Sequence, residues 1–360
     1  VRSRIRGLGV SIGDLPVGEH NAITDVPGVR VGHQTVVRDD PTVTRTGVTM
    51  IVPREGGIWS DYAYCGTAVL NGNGEMTGMP WIEESGMLGS PIGITNTFQV
   101  GMVRDAMVRY SVDHGLDRHF ILPVAAETDD SHLNDAESFP LTPDDAVAAL
   151  EAASTGAVDE GNVGGGTGMI CHEFKGGIGT SSRIVDVGPM KVTVGALVQA
   201  NYGWRTDLRI GESPIGRKIG TDVVPSTWED DEDLESSSSI IVVVATDAPL
   251  LADQCKRLAR RATVGLARVG GNGHDSSGDL FLAFATGNHL PRGQAVRDVR
   301  SLDHELVTPL IRATADVVEE SILNALCAAE TMTGRSGRVA HELPLDLVEE
   351  VLNGADGDEK

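Results

Sequence analysis

The run Ser236-Ser237-Ser238-Ser239-Ile240-Ile241-Val242-Val243-Val244-Ala245 decides how this chain is read. Serines lead without a turn residue into apolar, mostly β-branched positions, the pattern of a central strand buried on both faces. The run is too short to cross a bilayer. Just upstream stands Trp228-Glu229-Asp230-Asp231-Glu232-Asp233-Leu234-Glu235, so an acidic, then serine-rich segment is expected to be exposed and mobile. A mobile segment feeding straight into a buried strand is what a self-processing junction needs. From composition alone, a long surface loop explains it better.

Strand-like runs recur at 48–52, 192–199 and 280–285. Helical periodicity marks 100–114, 144–153, 249–269 and 305–330, with Leu250, Leu251, Cys255, Leu258, Ala262 and Leu266 sharing one face of the third. Strands cluster and helices fall between the clusters, which predicts packed sheets flanked by helices rather than a doubly wound parallel sheet. The 360 residues contain no repeat and, apart from the serine-rich segment, no linker. One domain is therefore expected.

A formal net charge of −23 argues against nucleic acid and anionic membranes as partners. It reads as a solvated acidic surface, with selection of cationic substrates the weaker alternative. The basic start, Val1-Arg2-Ser3-Arg4-Ile5-Arg6, is not followed by an apolar signal core, so a cytoplasmic protein is expected. Cys65, Cys171, Cys255 and Cys327 are scattered, without CxxC or Cys/His ligand spacing. They are expected to be reduced and buried, and no metal or other cofactor is implied.

Other routes to chemistry are poorly supported. Gly164-Gly165-Gly166-Thr167-Gly168 lacks the ending of a phosphate loop and the context of a dinucleotide site, so it reads as tight turns where backbone packs closely. His114, His132, His172, His274 and His304 stand alone, and no Gly-x-Ser-x-Gly elbow occurs. A serine nucleophile here must find its base elsewhere. A free α-amine, with a reference pKa of roughly 7.7–8.0, can accept a proton from the hydroxyl of its own residue. Such an amine exists only after the preceding peptide bond is broken.

At this point the sequence resembles the DmpA-like L-aminopeptidase/D-esterase and β-peptidyl aminopeptidase family. The matching blocks are Arg4-Ile5-Arg6-Gly7-Leu8-Gly9-Val10, the stretch 21–33 with Asp25-Val26-Pro27-Gly28-Val29, the glycine run 164–169, Gly195-Ala196-Leu197-Val198-Gln199-Ala200-Asn201, residues 239–250, and Ser277-Gly278-Asp279-Leu280-Phe281-Leu282-Ala283-Phe284. They span nearly the whole chain in order. The resemblance implies a four-layered αββα sandwich, α/β (α+β) in class, of the type shared with ornithine acetyltransferase. It also implies self-cleavage into an α chain, 1–238, and a β chain, 239–360, that stay together, usually in a homo-oligomer (tetramer or higher). The activity implied is release of N-terminal residues from short peptides, amides or esters, without metal.

The family's roles carry over residue by residue. Ser239 matches the nucleophile that becomes the β-chain N-terminus, so the bond cut lies between Ser238 and Ser239. Ser277 and Asp279 match the pair that tunes proton transfer at the new amine, with Asp279 one methylene shorter than the frequent Glu. Asn201 matches the amide that helps to bind the oxyanion, and Glu127 the carboxylate that holds the substrate's free amine. Without the family match these read as a residue entering a strand, a Ser-Gly-Asp turn, a strand-end asparagine and a solvated loop glutamate. Two positions depart from the pattern: Ser238 stands where Gly or Asn is common, and Asp129 stands where a tyrosine often assists the oxyanion. Two rival readings remain: an acyltransferase like ornithine acetyltransferase, which normally uses threonine, and an uncleaved, non-catalytic binding protein.

Overall fold

The computed structural model describes residues 2–116, 120–228 and 239–355. Ser238 and the rest of the acidic, serine-rich segment 229–238 lie outside the described residues. In chain order the first strands are β1 (Arg30–Arg38), β2 (Thr44–Val52), β3 (Asp61–Gly72), β4 (Met87–Leu88), β5 (Ile92–Asn96) and β6 (Val124–Thr128). They are followed by β7 (Ile170–Cys171), β8 (Phe174–Lys175), β9 (Gly177–Val187), β10 (Met190–Asn201), β11 (Ser239–Thr246) and β12 (Gly278–Pro291).

Two large sheets form, ordered β1-β2-β5-β6 and β4-β3-β12-β11-β10-β9. From Ser239 onward the decisive run becomes β11, in the middle of the six-stranded sheet, and every residue of that strand is buried. Its side chains alternate as the pleat requires. Ile240, Val242 and Val244 join a core with Leu258, Leu266, Val317 and Ile322 from the helices on one side. Ile241 and Val243 join Ile94 and Ala126 of the other sheet. A strand apolar at every position is thereby used on both faces.

Helices close the outer faces. Val100–Asp113 and Pro143–Glu151 pack on the four-stranded sheet, and Ala252–Ala259 with Val307–Ala328 pack on the six-stranded one. The result is the four-layered αββα sandwich that the resemblance implied. The one helix expected over 249–269 is two, Ala252–Ala259 and Ala262–Arg268, broken at Arg260 and Arg261. The first half lies on β3, where the backbone of Lys256 packs against Gly66, and the second docks Gly265 against Ala315 and Val318 of the long helix. Two different partners fix two different axes, which a single helical stripe cannot reveal.

β11 and β12, both downstream of Ser239, are enclosed between β3 and β10, both upstream of it. All four cysteines are buried and unpaired, and burial pushes the Cys171 and Cys327 thiols up to about 12. Among the described residues no helix is long and apolar enough to cross a membrane.

Candidate active site

Ser239 opens β11 and is 5% exposed. Its strand has two different neighbours at this end. Antiparallel β10 places Asn201 directly opposite it, and parallel β12 places Gly278 beside it. The Gly278 N–H donates to Ser239 Oγ at 3.3 Å. A side chain at position 278 would collide with the backbone of Asn73, its Cβ only 2.5 Å from the Asn73 carbonyl oxygen. Glycine there lets residues 73–74 close over the strand ends.

Asn201 is buried, and its carboxamide is anchored at both ends. Oδ1 accepts the Ile170 N–H at 2.8 Å, and Nδ2 donates to the Asp129 carbonyl at 3.0 Å. One Nδ2 hydrogen remains for a ligand, because a primary amide carries two donors. Glu127 lies on β6 and is 3% exposed, so it is no solvated loop residue. One carboxylate oxygen accepts the Glu75 N–H at 2.7 Å, and the other accepts the Thr97 hydroxyl. Burial raises the Glu127 pKa above the usual carboxylate range; these two hydrogen bonds pull it down, and the charges of Asp129 and Glu75 push it up.

Ser239, Glu127, Asp129, Glu75 and Phe98 line one cavity of about 450 Å³. Three of these residues are carboxylates, and no Lys, Arg or His joins the lining among the described residues. A slightly larger hollow, about 580 Å³, is lined by Arg2, Leu345 and Asp346 and contains none of the expected site residues. Ser239 and Glu127 both line the smaller one.

Ser277 stands just before Gly278, which opens β12, and Asp279 follows it, so the Asp279 side chain projects to the face opposite that of Ser239. Ser277 Oγ donates to Asp279 Oδ1 at 2.6 Å, and Asn71 Nδ2 donates to Asp279 Oδ2 at 3.0 Å. Burial raises the Asp279 pKa, while the bonds from Ser277 and Asn71 lower it. Asp279 thus lies on the sheet face away from the Ser239 hydroxyl, beside Ile240 of β11. Asn71 was not among the expected residues. Only the β3–β12 register, which sets Asn71 opposite Asp279, reveals it.

Asp129, in the place of the expected tyrosine, turns its carboxylate onto Ser131, accepting from its N–H and hydroxyl at 2.9 Å each. Its contribution to Asn201 comes from the main-chain carbonyl.

The chain as a whole is similar to known proteins. The model of peptidase family S58 matches residues 21–340. A β-peptidyl aminopeptidase BapA of Sphingosinicella microcystinivorans is 42% identical, over 95% of this chain and 89% of its own. A β-aminopeptidase of Burkholderia sp. superposes with a TM-score of 0.92 at 47% identity, covering 98% of this chain and 99% of that one. The L-aminopeptidase D-Ala-esterase/amidase of Ochrobactrum anthropi, described as a prototype for the serine aminopeptidases and a variant of the Ntn hydrolase fold, superposes with a TM-score of 0.89. It is 42% identical, again over 98% and 99% of the two chains.

Proposed function

Because the chain belongs to peptidase family S58 and is a serine aminopeptidase of the N-terminal nucleophile hydrolase type, we propose that it cuts itself between Ser238 and Ser239 and then works from the freed amine of Ser239. The 1–238 and 239–360 pieces stay together as one enzyme. The substrate is a short peptide, amide or ester with a free amine. Glu127 holds that amine as an ammonium through a charge-assisted hydrogen bond. The Ser239 amine takes the hydroxyl proton, the oxygen attacks the scissile carbonyl, and the leaving group departs with that proton. Asn201 Nδ2 and neighbouring backbone N–H groups hold the tetrahedral oxyanion. Water then resolves the acyl-enzyme. Ser277 and Asp279 tune the proton transfers at the amine.

One observation carries this reading: Ser239 and Glu127 line the same cavity, with Asn201 paired opposite Ser239. An acyl chain tethered at its amine by Glu127 therefore ends at the hydroxyl. One relative is named a β-peptidyl aminopeptidase and another an L-aminopeptidase D-Ala-esterase/amidase, which supports tolerance of backbone type in the released residue.

Buried, unpaired cysteines suit a reducing compartment and support a cytoplasmic location. The exposed Trp81, Phe120 and Leu122, which line one depression, support self-association, and the resemblance to the family supports a homo-oligomer, tetramer or higher.

Intact mass of the purified protein tests the mechanism. Two fragments meeting between Ser238 and Ser239, an uncut Ser239→Ala chain, and release of N-terminal residues from aminoacyl amides are expected. A wild-type protein that stays uncut yet hydrolyses these amides would overturn it. Faster turnover with an added acceptor amine would point to the acyltransferase instead.

A further inference from the structure

Lys175 is completely buried, and its ammonium donates to three backbone carbonyls: Gly166 at 3.2 Å, Met169 at 2.8 Å and Gly176 at 2.8 Å. A buried ammonium costs several kcal/mol in desolvation, and where only packing is needed an apolar side chain of similar volume serves as well or better. Burial pulls this group down to about 7, against the opposing influence of Cys171 and Asp130. Three carbonyl acceptors call for three N–H donors, which the ammonium has and the neutral amine lacks, so the geometry favours a charge where burial disfavours one.

The place of that charge explains why. The carbonyl of Met169 and the N–H of Ile170 belong to one planar, resonance-coupled peptide unit. Lys175 holds the oxygen of that unit, and its nitrogen donates to Asn201 Oδ1 at 2.8 Å. The carboxamide of Asn201 is a second resonance-coupled unit, with Nδ2 at its far end. Hydrogen bonds linked in this way polarise one another, most strongly where the local dielectric is low. The line runs from a buried positive charge, through two amides, to the donor beside Ser239.

We propose that Lys175 is a positioning residue for Asn201: it fixes and polarises the Met169–Ile170 peptide, and through it strengthens the Asn201 Nδ2–H donor offered to the oxyanion. The inference rests on the roles given above to Ser239 and Asn201. The surrounding glycines fit it. A Cβ on Gly166 would lie 2.4 Å from the Ile178 nitrogen, so the turn is packed backbone to backbone and its carbonyls are not open to water. The Met169 and Gly166 carbonyls also accept the main-chain N–H groups of Gly176 at 2.8 Å and Met169 at 3.3 Å, and the lysine adds a charged donor to each that solvent cannot supply.

The test compares wild type, Lys175→Met, Asn201→Ala and the double variant, each assayed per self-cleaved molecule on an aminoacyl amide. For Lys175→Met alone, kcat is expected to fall about ten- to hundredfold with KM within about threefold, since only the transition state carries the oxyanion. In the Asn201→Ala background the same change is expected to cost less than about twofold, because the end of the line is already gone. Losses that multiply, or a rise in KM matching the fall in kcat, would overturn the proposal. Lys175→Gln, with two donors and no charge, guards against a folding defect. If neither variant folds and cuts itself, the lysine serves folding and the proposal fails. An uncut wild type, or an Asn201→Ala with full kcat, would refute the underlying mechanism before Lys175 is touched.

Discussion

Asn201 faces Ser239 across the β10–β11 ladder. Directly opposed residues in an antiparallel pair carry their side chains on the same face, within about 5.5 Å at Cβ. The donor amide and the hydroxyl are therefore positioned by backbone pairing, not by loop conformation. Asn201→Ala is expected to lower kcat about 10²–10³-fold, the usual effect of deleting an oxyanion donor, with little change in KM. Steady-state kinetics on an aminoacyl amide check this; a rise in KM alone would assign Asn201 to substrate binding.

Glu127 must be ionised to bind an ammonium, and its pKa is raised by burial. As pH falls it takes up its proton earlier than an ordinary glutamate near 4.3. The acid side of the kcat/KM profile should therefore contain a limb above that value. Glu127→Gln should remove the limb and cut kcat/KM about a hundredfold or more on substrates with a free amine. A pH profile of both proteins decides; an unchanged limb in the variant would assign it to another group.

Asp129 raises the Glu127 pKa by like-charge repulsion. Asp129→Asn keeps an acceptor for Ser131 and leaves the carbonyl that holds Asn201, but removes the charge. Glu127 then ionises more readily, so the acid limb should move to lower pH. A shift to higher pH would contradict this assignment.

Gly179, on β9, lies directly under the long helix Val307–Ala328. A Cβ there would stand 1.9 Å from the Ser321 carbonyl oxygen and 2.6 Å from the Ala325 nitrogen. Gly179→Ala should destabilise the fold by about 1–3 kcal/mol or more, the scale of overpacking a closed core. Thermal unfolding reads this as a lowered midpoint, and an unchanged midpoint would show that the helix can lift at no cost.

The sequence made some of this legible and hid the rest for physical reasons. Unbroken β-branching announced β11, because a strand buried on both faces needs apolar side chains at every position. The close-packed glycine turn at 164–168 was likewise readable as one. The partners of the expected residues were not: Asn71 meets Asp279 only through a sheet register, and Thr97 meets Glu127 because β5 and β6 run parallel side by side. Lys175 carried no signal at all, since a lone lysine looks solvated until the fold buries it. The break at Arg260 and Arg261 was hidden because the apolar stripe continues across it.

The enclosure of β11 and β12 between β3 and β10 has a kinetic consequence. The proposed scission before Ser239 would remove a covalent link but leave two hydrogen-bonded ladders, β10–β11 and the bulged β3–β12, joining the halves. The native molecule loses little cohesion. The denatured state of a cut molecule, however, would be two chains in place of one, so return from denaturant would become a second-order encounter that slows on dilution. The uncut Ser239→Ala chain, by contrast, should recover at a rate independent of concentration. Maturation would thus convert an ordinary folding equilibrium into one crossed in practice only once, with persistence governed by how slowly the sheet unzips.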